Sequence, residues 1–250
     1  MIKYNFIVLL IIHVLCDFYF QSEKVAANKQ KKFVWVVLHS ILYALPAMTF
    51  LIIIMPGLPM RYLICFLSSH AVLDIGKYAI CNCKSVKGVF WKEQRNLFII
   101  DQTLHVLVIL AIVYFLRGFE MNTLYNSKIE NVFDTFGISE TILLIWIIKI
   151  LLIHKPINIF IVNVLYKYKP DNKNQINVSD KNAGRFIGTL ERIIMTIFIS
   201  LNQYSAVGLV LTAKSIARYD KISKEQEFAE YYLLGTLLST ICSICVSIIF

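Results

Sequence analysis

The chain has 250 residues, of which 58% are hydrophobic and only 16% charged, with a mean hydropathy of +0.65. That is too apolar for a water-soluble domain. The formal net charge of +9 gathers in short segments between apolar runs rather than along one soluble face, which excludes a nucleic-acid-binding surface and fits the positive-inside pattern of membrane proteins. The prediction is an all-α, polytopic transmembrane helix bundle of about six to eight spans, with membrane lipids as its surroundings and no nucleic-acid partner.

In chain order, the first apolar segment, 4–20, has a single preceding lysine, polar groups within it and no small-residue cleavage site. It is therefore expected to stay as a helix rather than leave as a signal peptide. Apolar runs at 33–54, 60–81, 97–116 and 139–166 follow, the last expected to break near Pro156. Segments 186–201 and 205–219 read as a helical hairpin, and 228–249 is a final span. This makes eight crossings, or six if the hairpin is re-entrant. Lys24, Lys29, Lys31 and Lys32 fill the loop 21–32, Lys84, Lys87, Lys92 and Arg95 the loop 82–96, and Lys167, Lys169, Lys173, Lys181 and Arg185 the loop 167–185. The alternate loops hold only Arg61, Arg117 and Lys128. The basic loops are thus expected in the cytoplasm and both termini outside. A front four-helix unit at 1–120 and a rear extension at 121–250 are expected, with 168–182 the most polar stretch. The six cysteines are read as packing thiols, since Cys242 and Cys245 lie in an apolar tail and Cys81 and Cys83 face a reducing compartment.

Chemistry concentrates in three spans. His13 precedes Asp17 by four residues, His70 precedes Asp74 by four, and Asp101 precedes His105 by four. Residues four apart share a helix face. The reversed order in the third pair is what an antiparallel helix needs to keep the aspartates nearer one surface and the histidines one turn deeper. The aspartates fall roughly 5–10 Å below the inner surface and the histidines about 6 Å further in. His39, six residues into its span, reaches the same layer. An ionisable group in a span costs about 2.5–3.5 kcal/mol on insertion scales, so seven at one depth require one another or a ligand. Imidazole and carboxylate suit Zn, Mn or Fe. His13, Asp17, His39, His70, Asp74, Asp101 and His105 are accordingly the expected ligands of one or two divalent transition metals, with Asp74 a candidate catalytic base. A His–Asp proton relay and a purely structural polar network are the other readings. Gln21 and Gln102 are expected to support the ligands, and Lys77 to snorkel to the headgroups.

A second constellation lies in GRFIGTLERIIM (184–195), AKSIARYDK (213–221) and EYYLLGTLLS (230–239). Arg185, Arg192, Lys214 and Arg218 can form an anion site for a lipid headgroup or phosphate. Alternatively, Glu191 and Glu230 pair with these cations as scaffold. Gly184, Gly188 and Gly235 are expected to let helices approach closely there.

The ordered set His13/Asp17/Gln21, His39, His70/Asp74/Lys77 and Asp101/Gln102/His105, followed by the three rear motifs, resembles bacterial integral-membrane proteins of the domain of unknown function 3307 family. The resemblance implies a multi-pass protein of the bacterial inner membrane and assigns no activity. From the residues themselves, the expected function is a metal-dependent hydrolase acting on a phospholipid or another phosphate or ester at the cytoplasmic leaflet. An ion or proton-coupled transporter or channel, and a structural membrane subunit, are the alternatives.

Overall fold

Long runs of Leu, Ile, Val and Phe with few breakers must satisfy every backbone polar group internally when placed in a bilayer, and only helices do this within one segment. The computed structural model describes residues 2–83, 93–119, 124–137, 139–170 and 178–250, and among these the regular secondary structure is helical, with no strand. The helices are α1 (Ile2–Val14), continued by a π-helical turn at Leu15–Tyr19, then α2 (Glu23–Asn28), α3 (Phe33–Ile54), α4 (Met60–Asn82), α5 (Gln94–Leu116), α6 (Ser127–Thr135), α7 (Glu140–Leu165), α8 (Val178–Ser200), α9 (Tyr204–Ala217), α10 (Tyr219–Lys224) and α11 (Gln226–Ile249).

Among the described residues, six segments are long and apolar enough to cross a membrane: Ile2–Tyr19, Phe33–Ile54, Met60–Asn82, Gln94–Leu116, Glu140–Tyr168 and Gln226–Ile249. This is a multi-pass membrane protein. Helix α9 has 14 residues, about 21 Å of rise against a hydrocarbon core of about 30 Å, and is too short to span alone. Asn202, at φ 57°, makes the left-handed turn between α8 and α9.

The chain divides into two compact units, Met1–Ile148 and Lys149–Phe250, with the division inside α7. In the first unit α1 is central: ten of its residues, from Tyr4 to Val14, are buried. Helices α3, α4 and α5 each turn one stripe inward, Val36, His39, Tyr43, Ala47 and Leu51 on α3, Leu63, Phe66, His70 and Asp74 on α4, and Leu97, Asp101, His105, Ile109 and Val113 on α5. These spacings of three and four are the helical period. The outward faces are apolar instead, with Val34, Leu45, Ile52, Ile64, Val72, Leu107 and Phe115 all exposed. The His and Asp residues of these helices are inside and their outward faces are apolar, as a lipid solvent requires. At the end opposite the His/Asp layer, Tyr4 donates to Glu140, and the Tyr125 hydroxyl donates to Asn5 Oδ1 at 2.6 Å.

In the second unit α8 packs on α11 and α9, around an apolar cluster of Ile153, Ile157, Cys242 and Val246. The expected break at Pro156 does not occur, and α7 runs unbroken through it. Pro156 leaves the Leu152 carbonyl without its helical donor, and the next carbonyl, that of Ile153, accepts from Arg192 Nε at 3.3 Å. Close helix approach at the rear glycines is not what these positions provide. A Cβ at Gly184 meets nothing within 4 Å, and at Gly235 it meets only the flexible tip of Leu165 at 3.4 Å.

Candidate metal centre

The centre is built around His39 of α3. Its Nε2 lies 3.2 Å from Asp17 Oδ1 and 3.0 Å from Asp74 Oδ2, and 3.3 Å from His70 Nε2. His70 Nε2 in turn lies 3.4 Å from Asp74 Oδ2. Four atoms that carry lone pairs therefore crowd together from three segments. All four residues are buried, His39 fully so.

A hydrogen on His39 Nε2 can face only one of these three acceptors, and the only other cationic donor beside them among the described residues is the Lys29 ammonium, 3.1 Å from the same nitrogen. His13 Nε2, His70 Nδ1 and His105 Nε2 have no hydrogen bond among the described residues, and the nearest donors to Asp17 Oδ1 and the two Asp74 oxygens are His39, His70 and Lys29, at 3.0 to 3.7 Å. Buried polar atoms without partners are costly and rare in native folds. A tetrahedral ion with ligand bonds of about 2.0–2.1 Å sets its ligand atoms about 3.3 Å apart. That spacing matches the separations around His39. Ligand atoms of Asp17, His39 and His70 all lie within 4.8 Å of one another, and so do those of His70, Asp74 and His105. The buried His/Asp groups could thus hold a metal ion.

The surrounding residues fix these rings. His105 Nδ1 meets the Asp101 backbone carbonyl at 2.8 Å, so Nδ1 is the donor and Nε2 keeps its lone pair towards the interior. The ring of Tyr43 stacks on that of His70, centroids 3.5 Å apart at 8°, and the Tyr43 hydroxyl lies 3.2 Å from His13 Nδ1. The His13 ring stacks on His105 at 5.0 Å. His13 thus lines the same layer, but its face contacts are aromatic. The π-helical turn at Leu15–Tyr19 inserts extra backbone just past His13. The simple four-residue relation of His13 and Asp17 on one α-helical face is altered there, and Asp17 turns to His39.

Asp101 stands apart from the two ligand groups. Its Oδ2 receives Lys77 Nζ at 2.7 Å and Gln102 Nε2 at 3.2 Å. Lys77 was expected to snorkel outward; it pairs with Asp101 because that carboxylate lies within its reach on the neighbouring helix. Gln102 also donates to Asp17 Oδ2 at 3.1 Å, bridging the two aspartates. Gln21 donates instead to the Asp17 backbone carbonyl, which supports the π turn rather than a ligand.

Lys29 is the participant that sequence reasoning left among the loop cations. It follows α2, a short helix started by Ser22, whose Oγ accepts from Val25 N at 3.4 Å, and anchored by buried Val25. Its Nζ reaches His39 Nε2 at 3.1 Å, Asp17 Oδ1 at 3.6 Å and Asp74 Oδ1 at 3.7 Å. Burial disfavours its charge, but Asp17, Asp74 and Asp101 outweigh that and hold its pKa above the ordinary value. No sequence pattern distinguishes it from Lys31 and Lys32. Tyr43 had a legible signal, one turn from His39 on the same face.

In the second unit the four rear cations have different surroundings. Arg192 is buried and donates to Asn158 Oδ1 at 2.6 Å, and to Ile153 O, Ser239 Oγ and Thr189 Oγ1 at 3.3 Å each. Lys214 pairs with Glu191 at 2.6 Å. Arg185 and Arg218 are exposed. Lys173 and the side chain of Lys181 lie outside the described residues, as do Lys84, Lys87 and Lys92 of the second basic loop.

A family model described as "Protein of unknown function (DUF3307)" matches residues 5–134, just over half of the chain, and the chain belongs to that family. Comparison with curated proteins and with solved structures gave no match. The matched stretch contains all seven His and Asp residues of the polar layer.

Proposed function

We propose that this protein is a metal-dependent hydrolase of a phosphate or other ester, working at the cytoplasmic leaflet of a bacterial inner membrane. The observation that carries the reading is the set of buried His and Asp donor atoms around His39 Nε2, at 3.0 to 3.3 Å and from three segments, which is the spacing of metal ligands. Asp17, His39 and His70 are a two-histidine, one-carboxylate donor set, the kind that in catalytic zinc sites leaves a position open. When bound, such an ion supplies Lewis acidity and an acidified water. His70, Asp74 and His105 offer a second group sharing His70.

Asp74 is the residue assigned as general base. It faces the histidines with Oδ2 and borders a cavity shared with Lys29 and Lys77. It takes a proton from the attacking water and returns it to the departing ester oxygen, so that one water is consumed and one ester bond broken. Gln102 holds Asp17 in place, and Tyr43 fixes the plane of His70.

Metal analysis of the full chain purified in mild detergent tests the reading. At least one equivalent of Zn, Mn or Fe is expected, lost in His39→Ala and in His70→Ala. A metal-free parent that cannot be loaded, together with a silent Asp74→Asn, would sink it in favour of a structural network. A metal-free parent showing a pH-dependent flux that Asp74→Asn abolishes would point to a proton relay.

A further inference from the structure

A small opening beside Asp74, with room for about one water, is lined by Lys29, Gln30, Val36, Asp74, Lys77 and Tyr78. It admits a single ligand oxygen, and a larger anion would be met at its mouth. Two of its six lining residues are lysines, in different situations. Lys77 is tied to Asp101 at 2.7 Å, so those charges cancel. Lys29 has no such close carboxylate: its Nζ is 3.1 Å from His39 Nε2 and 3.6 and 3.7 Å from Asp17 and Asp74, all three of them metal-ligand candidates.

Counting formal charges with neutral histidines, Asp17 and Asp74 contribute minus two and Lys29 plus one. The net of minus one becomes plus one when a divalent cation enters. Lys29 then loses its counter-ions to the metal and stands as a surplus cation at the mouth of the cavity. Its four-carbon stem lets the ammonium move without moving α2, and a lysine binds phosphate as a point charge.

We propose that Lys29 is the anion-recognition residue of this cavity, exchanging its contact with Asp17 and Asp74 for the oxygens of a phosphate ester. The inference rests on the metal reading above and narrows its substrate class to phosphate esters. It also places substrate recognition at the front centre rather than at the rear arginines.

The test uses the full chain in a phosphate-free detergent, loaded with zinc, with zinc content measured in every sample. Inorganic phosphate is titrated in, and binding is followed by phosphorus NMR line width. Lys29→Gln is expected to weaken binding at least about tenfold with zinc content unchanged, and exposed Lys31→Gln to leave it unchanged. In the parent, phosphate should protect Lys29, and not Lys31, from acetylation mapped by mass spectrometry. This second measurement decides the matter should Lys29→Gln fail to accumulate. Protection in discs of phosphatidylcholine with phosphatidic acid, but not in phosphatidylcholine alone, identifies the phosphate source as a lipid headgroup. Protection by inorganic phosphate alone identifies a soluble ester. A parent that takes up zinc yet shows no phosphate binding, no protection of Lys29, or equal binding in Lys29→Gln overturns this inference while leaving the metal reading standing. A parent that takes up no zinc overturns both.

Discussion

Replacing Lys77 by Met removes the ammonium that sits 2.7 Å from Asp101 Oδ2 in a nearly closed environment, the two side chains being 13% and 5% exposed. At that distance and an effective dielectric of 20 the gross attraction is about 6 kcal/mol, most of it offset by desolvation. The cost of stranding one partner of a buried pair is about 3–5 kcal/mol. Gln102 remains 3.2 Å from the same oxygen and can share the charge, so the lower end, about 3 kcal/mol, is expected for Lys77→Met. In Lys77→Met/Asp101→Leu no charge is stranded and most of the loss returns, leaving a coupling of about 2 kcal/mol. Unfolding of the four proteins by denaturing detergent in mixed micelles measures the cycle. Because Asp101 belongs to neither ligand group, the double variant should also keep its metal. Additivity within about 0.5 kcal/mol would refute the pairing, and loss of metal from the double variant would return Asp101 to the ligand set.

Two further outcomes are expected. Arg192→Met strips a charged donor from four protein acceptors and should destabilise by about 1.5–3 kcal/mol or more, without rescue by Arg192→Lys, whose ammonium cannot reproduce the fork; a stable variant with weakened binding to anionic-lipid vesicles would restore the rear anion site. Reporter fusions at Lys31 and Arg117 should read cytoplasmic and external respectively, and an external signal at Lys31 would place the whole polar layer at the opposite leaflet.

The helical period in α4 and α5 made His70, Asp74, Asp101 and His105 legible as inward-facing groups, because spacings of four need only a regular helix. The same arithmetic is altered at His13 and Asp17. Asp17 lies within a π turn, and nothing in LCDFY announces one. Lys29 was hidden because the reach of a flexible side chain depends on where α2 sits, which no local pattern encodes. Asp101 and Lys77 were each visible, yet their pairing required knowing which faces of α4 and α5 meet. Pro156 misled for a different reason: the rule that proline breaks helices assumes water, whereas a helix in lipid that loses one internal hydrogen bond has no solvent to turn to and persists. That α1 is central was also not legible, since an apolar helix reads alike whether lipid or protein surrounds it.

The central position of α1 has a consequence for biosynthesis. It leaves the ribosome before its neighbours α3, α4 and α5. Leu116, the end of α5, lies 97 positions beyond Tyr19, and at about 5–20 residues per second the interval is roughly 5–20 s. Over that interval Asn5, His13 and Asp17 have no permanent partners, and an aspartate exposed to hydrocarbon costs about 2.5–3.5 kcal/mol. The nascent first helix must therefore wait at the edge of the insertion machinery, or beside a chaperone with polar groups of its own, until the helices that will enclose it have been made.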